Sequence, residues 1–592
     1  MVFLKKYGEC LAKDRFFCYN RGVESFGLKE KKKMPNVQMK MISSLEKCFY
    51  DEKLEDKREK NEFIMFLNEK LSFQVAYCNV QNDEKLQRGA GVVQLSGELA
   101  QFATVREVVN IPSMCPVVPS RMDENYLRTE PGMYPDLLRP LQYRGAVSLR
   151  YNQLHALWVD IVLPEKFNPG SYRLTVSMVS REGEPLNSVT ASVRVIKAKL
   201  PPQTLIHTEW FYTDCLANYY HVRTFSEKHW RIIENFIRTA VDNGINMILT
   251  PIFTPELDTY IGGERLTTQL VDITVEEKGV YRFGFDKLHR WIDICLSCGV
   301  QYFEIPHFFT QWGANHAPKI VGKVNGRTRK LFGWETDSMG EEYAIFLGQL
   351  IPAVLAEFKK RGVDRNCYFH ISDEPRLKDL ERYTRCKNLI APYLEGYPII
   401  DALSDYAFYE SGALEKPVPA TKHIEPFLEN KIEGLWAYYC GASGCVDTSN
   451  RYFSMSLSRV RILGVQLYLH RIEGFLHWGY NYYNNWCSYD SVDPFGNSDG
   501  ENFAPSGDCY IVYPGTDGEA WESNRLNAMR EAMDDMRALT LYESYFGREK
   551  TERLILAGTD GGLTFKHYPM KDSYLIHLRE QIAKEISAVI ES

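Results

Sequence analysis

The chain has 592 residues, 44% of them hydrophobic, and its 70 Lys and Arg against 77 Asp and Glu give a formal net charge of −7. Because one hydrophobic core stops growing well below this length, we expect two or three domains. The mild charge lacks the clustered Lys and Arg of a nucleic-acid binder, so no nucleic-acid partner is expected.

The N-terminus and the cysteines point to a reducing compartment. Residues 1–20 mix charged residues into the apolar ones and lack the sustained apolar core of a secretory signal. No window approaches the roughly 18 consecutive apolar residues of a membrane span, so we expect no membrane insertion. The 14 Cys follow no disulfide framework, which predicts reduced thiols and a cytoplasmic location. Cys295 and Cys298 form a CxxC without a second pair, which favours buried structural thiols.

Two regions precede the centre of the chain. Residues 1–36 are charged and patternless, a variable lead-in, and translation could naturally begin at Met34. Residues 37–200 contain short runs with period-two alternation, such as 73–77 and 172–176, separated by turn residues such as Asn168-Pro169-Gly170. This spacing predicts an all-β domain, a β-sandwich.

From residue 201 onward strand-like runs alternate with long amphipathic helices. The predicted strands are 205–211, 246–252, 302–309, 367–371, 398–403, 434–439, 474–478 and a weak one around Val418. The predicted helices are 226–243, 285–297, 341–361, 377–394, 452–470 and 521–541. This alternation predicts an α/β domain with parallel strands, a (β/α)₈ TIM-like barrel over residues 201–545. No GxGxxG follows the first strand, which disfavours a dinucleotide-binding fold.

Three further segments are placed relative to this barrel. Insertions 253–282 and 311–340 follow the second and third strands, where a barrel builds the rim of its active site. Residues 546–592 contain strand-like pieces at 553–556 and 562–566 and a helix from about residue 573. They predict a short β/α tail packed on the barrel.

The sharpest local feature is an apolar strand that ends in two adjacent carboxylates, Asp373 and Glu374, followed by Pro375. On a barrel both would lie at the C-terminal face, where the catalytic residues of this fold are found. Neighbouring carboxylates repel, so one of them can stay protonated as a general acid while the other is ionised. The alternative is a helix N-cap with Pro375 in the first turn.

Aromatic and polar residues cluster at the ends of the other predicted strands. Such rings suit a sugar, because the C–H faces of a pyranose stack on them, although each could equally pack in a core. The predicted substrate-binding residues are Trp210, Asp214, His307, Trp312, Trp436, Tyr438, Trp478, Tyr480 and Asn481.

Other chemistries have weaker support. His207 and His307 lie on different strands without HExxH spacing, so neither a metal nor any other cofactor is expected. No GxSxG elbow occurs. The acidic loop 493–501 is interpreted as a solvated surface loop and not as a calcium site.

Together these residues resemble glycoside hydrolase family 123, the β-N-acetylgalactosaminidases, over about 73–541. The strongest stretches are 371–375 and 474–481, and 226–255 and 309–313 add to them. Residues 524–531 keep the family's helix pattern, whereas 521–523 and 533–537 diverge. The resemblance implies a retaining, substrate-assisted mechanism, in which the 2-acetamido oxygen of the substrate attacks the anomeric carbon to form an oxazolinium.

The resemblance also implies a role for each carboxylate. Glu374 would protonate the leaving oxygen and then activate water, and Asp373 would orient the acetamido N–H and stabilise the developing positive charge. A tyrosine, either Tyr438 or Tyr480, would hold the acetamido oxygen. The implied partner is an oligosaccharide or glycoconjugate glycan with a terminal β-linked N-acetylhexosamine.

Two rival functions remain open at this point. The first is a retaining glycosidase on a sugar without the acetamido group, with Glu304 or Glu209 as nucleophile. The second is a non-catalytic carbohydrate-binding protein, which would have no reason to hold two repelling carboxylates together. The linkage, the aglycone and a homo-oligomeric state are equally open.

Overall fold

The computed structural model describes residues 36–591 apart from 82–88, 142–144 and 442–445, so the predicted lead-in lies outside the described residues except for Asn36. The strands are β1 (Val37–Ser43), β2 (Glu62–Leu67), β3 (Lys70–Asn79), β4 (Gly89–Ser96), β5 (Ala103–Ser113), β6 (Gly132–Pro140), β7 (Ala146–Leu149), β8 (Leu154–Val162), β9 (Gly170–Val179), β10 (Pro185–Lys199), β11 (Ile206–Glu209), β12 (Met247–Leu249), β13 (Asp272–Glu277), β14 (Val280–Gly284), β15 (Tyr302–Ile305), β16 (Ile320–Val324), β17 (Arg327–Phe332), β18 (Cys367–Phe369), β19 (Ile400–Ala402), β20 (Lys416–Val418), β21 (Trp436–Tyr438), β22 (Gly474–His477), β23 (Val512–Pro514) and β24 (Ala520–Glu522). The α-helices are α1 (Thr213–Tyr219), α2 (Glu227–Asp242), α3 (Asp286–Cys298), α4 (Glu341–Lys360), α5 (Leu380–Ile390), α6 (Tyr406–Glu410), α7 (Glu425–Glu429), α8 (Leu457–Arg461), α9 (Leu463–Leu469), α10 (Asn524–Phe546), α11 (Arg548–Leu556) and α12 (Asp572–Glu591).

The N-terminal region is all-β, as predicted. It consists of two five-stranded sheets with the orders β1-β3-β8-β5-β6 and β2-β10-β9-β4-β7. Neighbouring strands are antiparallel except for β2 and β10, which run parallel. One hydrophobic cluster joins the sheets, with Phe73 and Val159 from the first and Phe63 and Val176 from the second. Phe63 stacks on Phe73 with the ring centroids 4.6 Å apart, so the two sheets pack face to face.

The second region contains eight short parallel strands, and each falls within or beside a predicted one. Six form a sheet in the order β18-β15-β12-β11-β22-β21, and β19 pairs with β20. Isolated parallel bridges join Phe369 to Ile399 and Ala420 to Tyr438. Strand pairing therefore runs from β11 through β12, β15, β18, β19, β20 and β21 to β22 and back to β11. The weak strand predicted around Val418 is β20.

Most predicted helices are present, and serine caps place three of their boundaries. Ser226 accepts a hydrogen bond from the backbone of His229 and begins α2. Ser523 accepts one from the backbone of Leu526 and begins α10, so residues predicted as the start of that helix form β24 instead. The predicted helix 452–470 is shorter at its N-terminus, because Ser456 caps α8.

The two predicted insertions form a sheet of their own. The first insertion contributes β13 and β14, and the second contributes β16 and β17, in the order β14-β13-β16-β17. The central pair, β13 and β16, is parallel. The insertions therefore fold together beside the ends of the parallel strands.

The C-terminal tail is helical, so both strand predictions within it are wrong. Residues 553–556 belong to α11, where buried Thr551 and Ile555 lie four residues apart, one helical turn. A short apolar run does not distinguish a strand from a buried helix. Residues 562–566 form no strand. Helix α12 packs against α8 and α10 and also against β2 and β10 of the all-β region.

Ion pairs join the all-β region to α10 and to β24, the strand before it. Arg525 on α10 donates to both carboxylate oxygens of Asp136 on β6, at 2.7 and 2.9 Å, and both side chains are fully buried. Arg106 on β5 pairs with Glu522 on β24 at 2.5 Å, and both side chains are mostly buried. The two regions are therefore held together by charge pairs as well as by apolar contacts.

Two expectations about the chain as a whole can be compared with these elements. Cys295 and Cys298 are buried and free of disulfide bonds, as predicted. Within the described part of the chain, no helix combines the length and apolar character that a bilayer crossing demands.

Candidate active site

A cavity of about 400 Å³ opens at the carboxyl ends of the parallel strands. Trp210 directly follows β11, Tyr438 ends β21 and Trp478 directly follows β22, while Asp373 and Glu374 follow β18. Its lining consists of Val118, Arg121, Trp210, Asp258, Trp312, Asp373, Glu374, Arg376, Ala402, Tyr438, Cys440, Gly441, Leu476, Trp478, Phe503, Ala504, Pro505 and Asp508. Its size lies within the range of small-molecule sites.

The backbone fixes the two carboxylates in place. Trp312 N–H donates to the carbonyl of Asp373 at 3.1 Å, and the Ser372 hydroxyl donates to the carbonyl of Thr310 at 2.8 Å. Glu374 has φ of +43°, a left-handed conformation that costs a non-glycine residue of order 1 kcal/mol. The next helical turn begins only at Leu377, with Arg376 at its N-cap. The helix-cap interpretation of the carboxylates therefore does not hold.

Burial and neighbouring carboxylates raise the pKa of two acidic groups of the cavity, Asp373 and Asp258. Burial raises the pKa of Asp373 well above its ordinary value, with further contributions from Glu374 and Asp258, and His370 opposes them. Burial also raises the pKa of Asp258 to about 7, against the opposing charge of Arg265. Raised pKa values of this kind cluster at functional sites, so the electrostatics mark this cavity as a candidate active site.

Tyr438 holds Glu374 directly. Its hydroxyl donates to Glu374 Oε1 at 2.6 Å. Burial raises the pKa of Tyr438 well above its ordinary value, and the charge of Glu374 adds to this effect. The phenol thus stays protonated and keeps donating. Because Oε1 accepts from Tyr438, Oε2 is the oxygen better placed to carry a proton that Glu374 delivers.

Aromatic rings form the walls of the cavity. Trp210 is buried and donates its indole N–H to Glu304 Oε1 at 2.8 Å. Trp478 donates to Asp508 Oδ2 at 3.0 Å. Trp312 is 45% exposed, so its ring is accessible from solvent at the rim. Two hydrogen-bonded indoles and one solvent-exposed indole suit the C–H faces of a sugar ring.

A fully buried ion network lies beneath Trp210. His370 contacts Glu304 through Nε2 at 2.7 Å and Asp401 through Nδ1 at 3.1 Å. Burial alone would lower the pKa of His370, but the hydrogen bonds to the two carboxylates raise it to about 9. Asp401 also accepts from the backbone N–H of Ile371 at 3.1 Å. The network therefore fixes the strand end that leads to Asp373.

Three residues of this neighbourhood could be considered as metal ligands. The donor atoms of His307, His370 and Asp401 lie within 4.8 Å of one another. Metal ligation needs a deprotonated imidazole nitrogen, whereas both nitrogens of His370 face carboxylates and its pKa of about 9 favours the imidazolium at neutral pH. The geometry therefore favours an imidazolium between two carboxylates over a metal centre.

Two predicted binding residues support the cavity from behind. Asn481 accepts from the backbone N–H of Tyr212 at 2.9 Å and donates to the carbonyl of the same residue at 3.0 Å. Asp214 forms a buried ion pair with Arg265, whose Nε donates at 2.8 Å. Arg265 also lies over the ring of Tyr212 at 4.7 Å. Both residues hold Tyr212 and do not line the cavity.

Three other predicted residues also lie away from the lining. His307 contacts the edge of Trp210, with the ring centroids 5.6 Å apart, in the layer beneath it. Trp436 packs on Tyr368 at 5.5 Å. Tyr480 donates its hydroxyl to the carbonyl of Phe236 on α2 at 2.8 Å, so it points into the helix layer. Of the two candidate tyrosines, the cavity is lined by Tyr438.

The sequence interpretation missed several lining residues. Asp258 comes from the first insertion, which was predicted as a rim but without a named residue. Asp508 and Phe503 come from the loops after β22, and Arg121 comes from the connection between β5 and β6 of the all-β region. Of these residues, only Asp258 had a signal in the sequence. It lies in the predicted rim insertion 253–282, where a carboxylate is a candidate for sugar binding.

Comparisons with known proteins agree on the type of fold. The profile described as glycoside hydrolase 123, catalytic domain, matches residues 210–542, more than half of the chain. A family 123 glycoside hydrolase from Clostridium perfringens, analysed for glycolipid glycan hydrolysis, is structurally similar with a TM-score of 0.70 at 13% identity. The match covers 94% of this chain and all of that one.

Other similarities are weaker. A β-glucuronidase from Parabacteroides merdae matches with a TM-score of 0.29 at 9% identity, over 80% of this chain and 50% of that one. An endo-β-1,4-mannanase from Thermotoga petrophila matches at 0.32 and 12% identity, over 57% and 77%. Neither supports a further conclusion. A search of curated proteins gave no significant match.

Proposed function

The chain belongs to glycoside hydrolase family 123, and from this premise we propose that it is a retaining, exo-acting β-N-acetylhexosaminidase. The proposed sugar is N-acetylgalactosamine, at the end of an oligosaccharide or glycoconjugate glycan. The proposed nucleophile is the 2-acetamido oxygen of the substrate itself. The observation that carries this proposal is the adjacent pair Asp373 and Glu374 in an aromatic-walled cavity at the carboxyl ends of parallel strands.

The fold supports this function in a specific way. We interpret the circuit of eight parallel strands as a (β/α)₈ barrel, whose catalytic groups lie at the C-terminal face. We interpret the two facing sheets before it as a β-sandwich, and propose residues 37–200 and 201–545 as the two main domains. Arg121 from the sandwich lines the cavity, so the proposed active site draws on both domains.

The chemistry proceeds in two steps. In the first, the acetamido oxygen attacks the anomeric carbon, Asp373 accepts a hydrogen bond from the acetamido N–H, and Glu374 protonates the leaving oxygen. In the second, Glu374 takes a proton from water, which attacks the anomeric carbon and opens the oxazolinium. Neither carboxylate forms a bond to carbon, so the separation of about 5 Å across the bond that a carboxylate nucleophile needs is not required.

The rival with a carboxylate nucleophile meets structural obstacles. Glu304 is fully buried and engaged by Thr208, Trp210 and His370. Glu209 is fully buried and pairs with Arg451 at 2.7 Å. Asp258 does line the cavity, but burial raises its pKa to about 7, so it is a less readily ionised nucleophile than an ordinary carboxylate.

The non-catalytic rival also has less support. A binding site gains nothing from two neighbouring carboxylates that repel each other, nor from a strained backbone at Glu374. Strain of this kind is found where a side chain must be held in a particular direction. A general acid under the hydroxyl of Tyr438 fits that requirement.

The decisive experiment compares aryl β-glycosides that differ only in the group at C2. We expect turnover of the 2-acetamido substrates and little turnover of the corresponding galactoside and glucoside. A thiazoline analogue of N-acetylgalactosamine should inhibit competitively, because it copies the fused-ring intermediate. Good turnover of plain galactosides together with indifference to the thiazoline would reject the proposal.

The cytoplasmic location remains a proposal of its own, in which the enzyme meets imported oligosaccharides. Cell fractionation tests it. Protein recovered from the medium or from the cell surface would contradict it, without bearing on the chemistry proposed above.

A further inference from the structure

The second insertion carries a basic hairpin, formed by β16 and β17. The two strands are joined by Asn325 and Gly326, whose φ angles of +50° and +76° belong to the tight turn that an Asn-Gly pair favours. Residues 319–330 contain five Lys or Arg and no Asp or Glu, in a chain whose formal net charge is −7. Positive charge is therefore concentrated on this short element.

Two of the five cations hold the hairpin in place. Lys319 and Lys330 each lie 2.8 Å from a carboxylate oxygen of Glu264 in the first insertion. Gln269 of the same insertion donates to the carbonyl of Val321 at 2.9 Å and accepts from the backbone N–H of that residue at 3.0 Å. The base of the hairpin is therefore fixed against the first insertion.

The other three cations have no such partner. Lys323, Arg327 and Arg329 are exposed, and in the part of the chain that the structure describes no carboxylate lies within ion-pair distance of them. On the adjacent strand β13, Glu276 is already paired with β14. Among the described residues of this four-stranded sheet, Glu277 is the one carboxylate without an ion pair. Three unpaired cations therefore face one unpaired carboxylate, which leaves the hairpin tip positive.

The spacing of the two arginines suits neighbouring anionic groups on one molecule. Arg327 and Arg329 are two residues apart on β17, so their Cα atoms are about 6.6 Å apart and their side chains leave the same face of the strand. Guanidinium groups bind oxyanions through paired N–H donors and are less hydrated than ammonium groups. A sulfate ester is such an oxyanion, and it stays ionised throughout the physiological pH range.

The position of the hairpin connects it to the proposed active site. Trp312 of the second insertion lines that cavity, and so does Asp258, which lies with Glu264 in the segment between β12 and β13. We propose that the hairpin tip is a docking surface for a sulfated glycan, where the choice of a glycan rests on the proposed function. A chain bound here would be retained beside the cavity without entering it. The negative charge of the rest of the protein disfavours a long nucleic acid.

The test compares three polymers by isothermal titration calorimetry: a short dextran sulfate, neutral dextran, and polygalacturonate, which has carboxylates but no sulfate. Wild-type protein should bind dextran sulfate at low salt, bind polygalacturonate less tightly and not bind dextran. Added salt should weaken the binding, because exposed charges are screened. Combining Arg327→Gln with Arg329→Gln should raise the Kd for dextran sulfate about 3- to 10-fold, as expected for the loss of two exposed ion pairs.

The matched control combines Arg238→Gln with Arg553→Gln. Both arginines are exposed, and each pairs with a glutamate four residues away on its helix, α2 or α11. The control therefore removes the same charge far along the chain from the hairpin, and it should leave the Kd unchanged. Circular dichroism and Tm establish that every variant is folded.

Three results would overturn the inference. The first is an unchanged Kd in the hairpin variant, and the second is an equal loss of affinity in the control. The third is affinity for polygalacturonate, duplex DNA or phosphatidylserine vesicles that equals the affinity for dextran sulfate, because the surface would then not select a sulfated glycan. These measurements involve no turnover, so failure of the proposed function would appear separately, in the comparison of aryl glycosides.

Discussion

Substituting the two adjacent carboxylates one at a time should separate their roles. In the wild type the Tyr438 hydroxyl donates to Glu374 Oε1 at 2.6 Å. The amide oxygen of Glu374→Gln accepts the same hydrogen bond, so the cavity keeps its shape while the acidic proton is lost. Loss of general acid catalysis lowers rates by a factor of about 10² to 10⁴. At 1.36 kcal/mol per tenfold, this corresponds to about 2.7 to 5.4 kcal/mol.

The effect of Asp373→Asn has a different origin. A carboxylate about 4 Å from the oxazolinium charge, at an effective dielectric constant of about 20, contributes about 4 kcal/mol. Removing that charge should cost a factor of about 10³ in rate. Because Asp373 does not handle the leaving-group proton, this loss should be the same for good and poor leaving groups.

The assay is a series of aryl N-acetylhexosaminides whose phenols differ in acidity. A nitrophenolate leaves with little protonation, so the deficit of Glu374→Gln should shrink for acidic phenols and grow for weakly acidic ones. Its plot of log rate against phenol pKa should be steeper than that of wild type, and the plot for Asp373→Asn should run parallel to wild type. Near-wild-type rates in both variants, with a lowered Tm, would show that these carboxylates are structural and would refute the mechanism.

Three further predictions concern residues around this pair. Tyr438→Phe removes a hydrogen bond to a charged group, worth about 1.5–3 kcal/mol, and should lower kcat/KM about 10- to 150-fold. The Tyr480 hydroxyl bonds a helix carbonyl, so Tyr480→Phe should mainly lower Tm. Asp258→Asn removes a charge that raises the pKa of Asp373. Asp373 acts in its ionised form, so activity is lost as pH falls through its pKa. The variant should lower that pKa and move the acid limb of the kcat/KM profile to lower pH. A shift to higher pH would contradict the assigned role. Arg525→Met leaves Asp136 buried with the Tyr513 hydroxyl but without its cation, and it should lower the free energy of unfolding by about 3–5 kcal/mol, measured by urea unfolding. Unchanged stability would contradict this prediction.

The parallel strands were accessible from the sequence because apolar runs alternate with amphipathic helices. Their lengths were overestimated for a physical reason. The run predicted at 205–211 forms a ladder only over Ile206–Glu209, and its last residues leave the sheet to build the cavity wall and the core beneath it. Apolar character therefore continues past the last strand hydrogen bond.

Side-chain direction beyond the strand ends was not accessible. Trp478 and Tyr480 lie two residues apart, which on a continuing strand would place them on one face. Strand β22 ends at His477, and Tyr480 turns to the carbonyl of Phe236 instead. Asp508 could not be identified either, because it reaches the cavity from a loop without periodicity. The strand predicted at 553–556 was wrong because an apolar run of four residues suits a helix as well as a strand.

The ion pair between Asp136 and Arg525 has a consequence for how such a gene can evolve. Each partner is encoded in a different half of the chain, and both side chains are fully buried. A recombination event that transferred only the segment from Trp210 to Tyr542 would retain the arginine, lose the aspartate and leave the guanidinium without its carboxylate partner. Selection would act against that product before its catalysis was ever tested. The all-β region and the region of parallel strands are therefore expected to be inherited as one unit and not exchanged as independent modules.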